Sequence, residues 1–427
     1  MIVLALGFDH VSDDDFARVT IAQSFAHAPR LDPSGTSWLP FPFWMLGGAM
    51  AVFGRSLAVA RVASIAFASL AATLPYLALR MTGSTTRRAG LALAFALTSP
   101  WSLWLGAATV PESVTASLAA AAVIALGTAS GDRPSARARV GFALALLAAC
   151  LSRYETWPIA AVLAVVMAVR AARALQGGYP REGHDTLVVT LVVAGPLLWI
   201  AWNMHAHGDA LHFFQRVTRF KRALGEAPES TASALLLFPR LFVAMRPDAI
   251  AAAAAAIVAA RTIAAARDEL RRRWLVPLAC VAAQLAFLAY GNARDGAPAH
   301  HSERALLGAA VITAAFAADV LGAAAEDALA RARGLALGAA GLVTVAWLAT
   351  WTFARGDTPG AAAADDRRAQ IAAGNALREE GATQLELTPC AYEHFALIAA
   401  FRAPERVTNR PSAGTPVSPS CPAVERR

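Results

Sequence analysis

The composition of this 427-residue chain excludes an ordinary soluble globular protein, because 57% of its residues are hydrophobic and only 16% are charged. Apolar runs of about 20 residues cross a bilayer as helices, since lipid offers no partner to an exposed backbone N–H or C=O group. The formal net charge of +8 does not indicate a nucleic-acid-binding protein, because nearly all of the basic residues are arginines that lie between apolar runs. The four cysteines show no metal-ligand spacing.

The sequence therefore predicts an all-α polytopic membrane protein of about ten or eleven transmembrane helices, with a small C-terminal α/β extramembrane segment. The apolar stretch at 1–8 is too short to cross a bilayer and predicts the end of a truncated first span. The other predicted spans, in chain order, are 57–79, 89–107, 113–128, 140–152, 157–170, 185–203, 249–266, 274–291, 305–322 and 334–353.

The stretch 38–53, with Pro40 and Pro42 near its start, is either a further span or a helix in the membrane interface. Short loops rich in arginine favour the cytoplasm. The arginine clusters all fall inside only if 38–53 does not cross, so we predict a juxtamembrane helix there. These clusters are Arg80, Arg87 and Arg88; Arg133, Arg137 and Arg139; Arg170, Arg173 and Arg181; Arg267 and Arg271 to Arg273; and Arg331 and Arg333. The segments that this orientation assigns to the outer face are 9–56, 108–113, 153–156, 204–248, 292–304 and the C-terminal tail.

The composition becomes that of a soluble protein from Asp357 onward. We predict a membrane domain at 1–356, an extracytoplasmic α/β segment at 357–411 and a disordered tail at 412–427. Within the α/β segment, the pattern predicts a helix at 361–381, a strand in QLELTP and a helix in AYEHFALIAAF. Cys390 and Cys421 are able to form a disulfide if the tail lies outside the cytosol.

Three consecutive carboxylates, Asp13, Asp14 and Asp15, follow the first apolar stretch and so lie near the membrane surface. Such a cluster has three uses. One carboxylate with a raised pKa is a general base for an attacking hydroxyl. A pair of carboxylates holds a divalent cation. Alternatively, the acids favour the start of a helix whose apolar residues pack inward. The sequence alone leaves the three alternatives open.

Two more acids fall on the same predicted face. Glu112 follows Pro111 at the start of a span, where it is either an ordinary first-turn acid or part of a site. Glu155 lies with Arg153 in a tight turn between two spans. These two form either a structural ion pair or contacts to a phosphate and a substrate hydroxyl.

Two further segments carry cations on this face. The segment HHSER at 300–304 places His301, Glu303 and Arg304 before a span, and phosphate or sugar contact is favoured there over metal binding because adjacent histidines diverge on a helix. The segment RVTRFKR at 216–222 contains Lys221 and Arg222 and spaces its arginines three residues apart. It predicts either an amphipathic helix on anionic lipid or contacts to an anionic ligand.

These motifs resemble the GT-C superfamily of polyprenyl-phosphate-sugar-dependent glycosyltransferases, in the family 39-like branch of protein O-mannosyltransferases and the lipid A aminoarabinose transferase. That family opens its first external loop with an acidic pair, matched here within Asp13, Asp14 and Asp15. A proline-containing juxtamembrane helix follows, matched by SWLPFPFWMLGGAMAVFG, and then a helix with an early arginine, matched by Arg61. Glu112 corresponds to a second acid in the next external loop.

The resemblance implies an inverting transfer at the outer face of a bacterial inner membrane. An acceptor hydroxyl or amine, on a lipid, a glycan or a protein, attacks the sugar of a polyprenyl-phosphate donor. The resemblance implies catalytic roles for Asp14, which we favour as the base, and for Asp15, Asp13 and Glu112. It implies no cofactor beyond the donor, and a divalent cation at Asp14 and Asp15 stays open. The residues expected to contact phosphate or substrate are Arg18, Arg153, Glu155, Lys221, Arg222, His301, Glu303 and Arg304.

The alternative class is a multi-span transporter or lipid flippase. Proteins of that class typically place charges at the bilayer midplane and contain repeated halves. Here the charges lie at helix ends on one predicted face, and the sequence shows no repeat of fixed period. This pattern favours the transferase.

Overall fold

The structure is a computed structural model, and the residues it describes are 8, 10–129, 134–176, 183–223, 231–294, 302–328, 341, 367–387 and 394–409. Its described part is almost entirely helical, with one two-stranded sheet near the C-terminus. The predicted fold class, a polytopic helical membrane protein with a small C-terminal α/β segment, is confirmed. The predicted spans at 1–8 and 334–353 and the tail at 412–427 fall almost wholly outside the described residues.

The α-helices of the described chain are α1 (Asp14–His27), α2 (Phe41–Phe53), α3 (Leu57–Met81), α4 (Thr86–Leu97), α5 (Pro100–Ala107), α6 (Glu112–Gly127), α7 (Ala136–Cys150), α8 (Trp157–Gln176), α9 (Gly183–His207), α10 (His212–Ala223), α11 (Thr231–Met245), α12 (Pro247–Thr262), α13 (Ala264–Glu269), α14 (Leu275–Ala293), α15 (Leu307–Ala328), α16 (Arg368–Glu379) and α17 (His394–Phe401). The strands are β1 (Leu385–Leu387) and β2 (Val407–Asn409). Single turns of 3-10 helix occur at Tyr154–Thr156, Ser302–Leu306 and Pro404–Arg406, and a π-helical turn occurs at Leu270–Trp274.

Five helical stretches in the described chain are long and apolar enough to cross a membrane, and two bent helix pairs raise the number to seven if each pair is one span. Every span predicted between 57–79 and 305–322 overlaps a described helix. The larger predicted number includes α6 and α7, which have 16 and 15 residues and are shorter than the roughly 20 residues of a full crossing. It also includes the two stretches outside the described residues.

Both bent pairs break beside a proline. α4 and α5 meet at 77°, where the extended backbone of Ser99 precedes Pro100 and the Ser99 hydroxyl caps α5. α11 and α12 meet at 89°, where Arg246 precedes Pro247. Proline begins a helix readily because the first turn needs no N–H partner, but it disfavours helical backbone in the residue before it.

α6 lies at the centre of the helical core. All of its residues except Ser113 and Leu118 are buried, and it packs against α3, α7 and α15. The helix is rich in alanine, and small side chains let helix backbones approach closely where lipid provides no hydrophobic drive. This central position leaves Glu112, the first residue of α6, buried at one end of the bundle.

The acidic segment begins α1, which packs against α2 and α17. Phe16, Val19 and Ala22 are buried in this contact. A Cβ atom on Gly47 of α2 would lie 2.5 Å from a ring carbon of Phe25, so the glycine permits the close approach of the two helices. The buried amide of Gln23 donates to the Ala399 carbonyl at 2.7 Å, which ties α1 to the C-terminal segment.

The predicted outer loop at 204–248 forms two helices, α10 and the apolar helix α11. α11 buries Phe238 and Phe242 and continues into the bundle through α12. Arg246, which lies in this predicted outer loop, is fully buried at the bend. Its guanidinium donates to Asp248 at 2.9 Å and to the carbonyl of Phe95 at 3.1 Å, so this arginine is paired inside the protein.

The C-terminal segment follows the predicted order of helix, strand and helix. β1 pairs with β2 in parallel, with Leu385 opposite Val407, and α17 connects the two strands. Gly374 of α16 faces α17, where an added Cβ would clash with the Leu397 carbonyl oxygen. The strand in QLELTP and the helix in AYEHFALIAAF are present as β1 and α17.

A second group of buried charges surrounds Asp319 of α15. Its carboxylate accepts from Arg88 at 2.8 Å, from Arg273 at 2.7 Å and from the Trp274 indole at 2.9 Å, and Glu269 pairs with Arg88 at 3.0 Å. Arg88 and Arg273 belong to two of the arginine clusters that the sequence assigns to the cytoplasm. The tertiary contacts therefore bring these two clusters together.

Candidate functional site

Glu112 lies at the centre of a buried network of charged side chains, which we call the Glu112 network and which also contains Asp14, Arg153, Glu155 and Arg304. One Glu112 carboxylate oxygen accepts a hydrogen bond from Arg304 Nε at 2.9 Å and lies 2.7 Å from Arg304 Nη2 in an ion pair. The same oxygen accepts from Arg153, whose Nε pairs with Glu155. The network joins residues that the sequence places in four separate segments of the same face.

Asp14 forms the partly exposed edge of this network. Its carboxylate accepts from Arg304 Nη1 at 3.2 Å, and the same nitrogen donates to the Ser12 hydroxyl at 3.2 Å. The Asp14 side chain is 40% exposed, whereas that of Glu112 is 1% exposed. Asp14 therefore presents a carboxylate oxygen to a molecule that approaches from the surface of the protein.

Asp15 is turned into the protein. Its carboxylate accepts from the backbone amides of Val11 at 3.1 Å, Ser12 at 3.2 Å and Thr109 at 3.0 Å. The Thr109 hydroxyl donates to the Asp15 backbone carbonyl at 3.0 Å. Burial raises the pKa of Asp15 above the ordinary value for an aspartate, and this effect outweighs the opposing Arg304 charge and the backbone amides. These contacts tie the start of α1 to the turn before α6.

Asp13 faces the C-terminal segment. Its two carboxylate oxygens accept from Arg367 Nε and Nη2, both at 2.8 Å. This bidentate geometry engages both carboxylate oxygens. The three neighbouring aspartates thus have three different environments, because successive side chains on a helix point about 100° apart.

Arg18, one turn after the acids on α1, is buried but has a different environment from Arg153 and Arg304. Its guanidinium lies over the Trp38 ring, 4.4 Å from the ring centroid. Within the described chain, its buried Nε has no hydrogen-bond partner. Burial lowers the pKa of Arg18 to about 10, against the opposing charges of Glu112 and Asp14. Arg18 therefore keeps its charge at neutral pH and has an unused donor.

A narrow cleft, with only about 20 Å³ of free space, opens beside Arg18, between α2, α3 and α6. Arg18 and Thr109 provide its polar end. The rest of its lining is largely apolar, and these residues are Pro42, Phe43, Met45, Leu46, Ser64, Ala68, Leu105, Val110, Pro111 and Val114. The arrangement suits a ligand with one anionic end and an apolar body.

Arg153 pairs with the carboxylates of Glu112 and Glu155, and the next residue, Tyr154, packs in an aromatic cluster. Burial alone would lower the pKa of Arg153, but the charges of Glu155 and Glu112 raise it. The adjacent Tyr154 hydroxyl donates to the Ser37 carbonyl at 2.7 Å and accepts from the Trp199 indole at 2.9 Å. The turn is therefore anchored to the segment between α1 and α2 and to α9.

The structure describes no contact between the Glu112 network and the remaining residues expected at the site. Glu303 lies beside Arg304 but makes no hydrogen bond or ion pair with the described residues. Lys221 and Arg222 lie at the end of α10, and their side chains are outside the described part of the structure, as is His301. Their expected contacts with substrate stay predictions.

The aspartates do not fit a divalent cation. Within the described residues, no group of three or more His, Cys, Asp and Glu side chains is placed to hold a metal. The Asp15 oxygens accept from backbone amides, and Asp14 faces the Arg304 guanidinium. A guanidinium at this distance repels a cation, so the donor set disfavours a divalent cation.

Ser12, Trp38, Thr109 and Arg367 contact the site, and the sequence reasoning missed them. Trp38 stands in the SWLPFP motif, and Thr109 lies three residues before Glu112, so nearness to the motif residues was an available signal. Arg367 carries no such signal, since it lies in the soluble-looking segment far along the chain from Asp13.

No protein-family model matches this chain, and no curated protein sequence matches it. Among solved structures, the chain is similar to the crystal structure of ArnT from Cupriavidus metallidurans bound to undecaprenyl phosphate. The two share 16% sequence identity with a TM-score of 0.47, over 94% of this chain and 86% of that one. A similarity of this extent assigns no role to any residue here.

Proposed function

We propose that this protein is a membrane glycosyltransferase that moves a sugar from a polyprenyl-phosphate-linked donor to a lipid, glycan or protein acceptor, at the outer face of the membrane and with inversion. The observation that carries the proposal is the position of Asp14. This carboxylate is partly exposed, lies 3.2 Å from Arg304 and belongs to the same buried network as Glu112 and Arg153.

Asp14 is the base in this proposal. Asp13 is occupied by Arg367 and Asp15 by backbone amides, whereas Asp14 has one long ion pair and an open side. A carboxylate with these properties accepts a proton from an acceptor hydroxyl or amine as that group attacks. Asp15 and Asp13 position α1, and Glu112 positions Arg304 and Arg153.

Arg18 is the first contact for the donor phosphate. It is a buried cation with an unused Nε donor at the polar end of the cleft. Arginine matches phosphate oxygens with paired N–H groups, and a fixed guanidinium stabilises the negative charge that develops on the departing phosphate. The apolar walls formed by α2 and α3 suit the first isoprene units of the donor lipid.

The reaction is a single displacement. The acceptor oxygen or nitrogen forms a bond to the anomeric carbon, on the side opposite the phosphate, while the bond from that carbon to the phosphate oxygen breaks. The electron pair leaves with the polyprenyl phosphate, and the acceptor proton moves to Asp14. One displacement at the anomeric carbon inverts its configuration.

Transfer of labelled sugar tests this proposal. Purified full-length protein is incubated with polyprenyl-phosphate-linked mannose, glucose or aminoarabinose and a crude envelope fraction as acceptor. We expect the wild type to transfer one of the three, and Asp14→Asn to lose transfer by about 100-fold or more. Asp209→Asn is the matched control, because Asp209 accepts only from the nearby Leu211 amide in the described structure. Full activity of Asp14→Asn, or no transfer by the wild type, contradicts the proposal.

Reporter fusions test the face on which the site lies. Fusions after Arg88 and Asp132 are expected in the cytoplasm, and a fusion after Thr358 outside it. The opposite signs would contradict an outer-face site. The alternative class is a transporter or flippase, which moves the labelled lipid between leaflets without breaking the sugar–phosphate bond. Movement of the intact lipid by the purified protein in vesicles would identify this class.

A further inference from the structure

A second cleft with a volume of about 210 Å³ lies away from the Glu112 network, where the end of α2 meets the C-terminal segment. We call it the arginine cleft. It is lined by Phe53, Gly54, Arg55, Ser56, Arg378 and Arg402. The sequence separates these residues into three distant segments, and tertiary contacts bring them together. Nothing in the proposed transfer reaction uses them.

The arginine cleft carries an excess of positive charge. Arg55 donates to both oxygens of Glu405, at 3.0 and 2.9 Å. Arg378 and Arg402 make no ion pair or side-chain hydrogen bond with any residue in the described part of the chain. No acid belongs to the described lining. Two guanidinium groups therefore face one cleft without a counter-charge.

The backbone of Arg402 is unusual. Its φ of +66° makes it the one residue other than glycine with positive φ in the described chain. L-residues with a Cβ rarely adopt this left-handed conformation, and glycine adopts it freely. The backbone of Arg402 is therefore strained, and its side chain lines the cleft.

Exposed apolar side chains border the arginine cleft. Val52 and Phe53, the last residues of α2, are each 75% exposed. The juxtamembrane helix thus ends with apolar groups directed outward, and the arginines begin within the next two residues. Apolar groups beside cations are typical of the level at which lipid tails give way to headgroups.

We propose that the arginine cleft binds a phosphate-bearing anion, the headgroup of an anionic membrane lipid or free phosphate. Paired N–H groups on Arg378 and Arg402 match the oxygens of a phosphate mono- or diester. A lipid bound this way places its tails along Phe53. The site is independent of the transfer reaction, since it shares no residue with the Glu112 network.

Two variants and one control test this site. Arg402→Gly removes a guanidinium and simultaneously relieves the positive φ, so we expect its unfolding temperature to equal or exceed that of the wild type. Arg378→Gln removes the second guanidinium from the exposed face of α16. Arg406→Gln is the matched control, because Arg406 is an exposed arginine four residues from Arg402 that does not line the cleft.

Two assays distinguish the sources of the anion. In the first, full-length protein is reconstituted in nanodiscs of phosphatidylcholine with added phosphatidylglycerol, and the lipid retained after detergent extraction is quantified by mass spectrometry. In the second, delipidated protein in detergent is titrated calorimetrically with inorganic phosphate, against chloride at equal ionic strength. Each lost arginine is expected to weaken binding by about fivefold.

Retention of phosphatidylglycerol that falls in both variants but not in the control identifies a lipid headgroup, and a phosphate response with the same pattern identifies free phosphate. Either result supports the site. If the wild type shows neither response, or if Arg402→Gly and Arg378→Gln bind like the control, the proposal is overturned.

Discussion

Replacing Glu112 by glutamine is expected to destabilise the fold as well as reduce activity. Glu112 is the carboxylate that the buried Arg304 and the largely buried Arg153 share, through a hydrogen bond from Arg304 Nε at 2.9 Å, an ion-pair contact with Arg304 Nη2 at 2.7 Å and a hydrogen bond from Arg153. Removing one partner of a buried ion pair typically costs about 3–5 kcal/mol, because the other charge stays buried without compensation.

The structure places Glu112→Gln at the lower end of that range. Arg304 keeps its contact with Asp14 at 3.2 Å, and Arg153 keeps Glu155. Each guanidinium therefore retains one carboxylate after the substitution. We expect a loss of about 3 kcal/mol in the free energy of unfolding.

Denaturant unfolding of the detergent-purified protein, followed by tryptophan fluorescence, measures this loss. Glu303→Gln is the matched control for stability, since Glu303 precedes Arg304 but makes no contact with the described network. We expect the control to change the free energy of unfolding by less than about 0.5 kcal/mol. A Glu112→Gln variant as stable as the control would refute the reasoning that the carboxylate holds both arginines in place.

Three further predictions concern α1. Asp14→Asn should lose transfer by about 100-fold or more while its unfolding midpoint stays near that of the wild type, since the side chain is 40% exposed; circular dichroism on the assayed sample checks the midpoint. Arg18→Met should raise the KM for donor without lowering stability, because it removes a buried charge that lacks a hydrogen-bond partner at Nε, and a loss of stability would contradict this. Asp15→Asn should be less stable than the wild type, since an amide cannot accept from Val11, Ser12 and Thr109 together. Burial raises the pKa of Asp15 above its value in the unfolded chain. The wild type therefore loses stability as the pH rises above about 4, because ionisation of Asp15 favours the unfolded state there. The stability difference between Asp15→Asn and the wild type, measured by unfolding across pH, should shrink over that range.

The helices could be predicted from the sequence because local chemistry decides them. Apolar runs become helices wherever the backbone lacks water. Proline positions mark the two bends, since the ring disfavours helical backbone in the residue before it. Charge distribution between the runs predicted that Asp14, Glu112, Arg153 and Arg304 share one face, and these four residues lie in one network.

Only the tertiary structure distinguishes one aspartate from the next. Asp13, Asp14 and Asp15 are chemically identical and adjacent, so no local pattern separates them. Their directions differ by the helical rotation, and their partners come from distant segments: Arg367 for Asp13 and Thr109 for Asp15. Asp14 is left as the open carboxylate.

The sequence also did not show which of the cations are paired. Arg246 reads as an external charge in a loop, but the bend between α11 and α12 buries it against Asp248. Arg378 and Arg402 carry no motif and share a cleft only because the C-terminal segment packs on the end of α2. The sequence by itself determined which segments form apolar helices, since hydropathy acts locally. Which charges are paired and which are free was decided by packing between segments far apart in the chain.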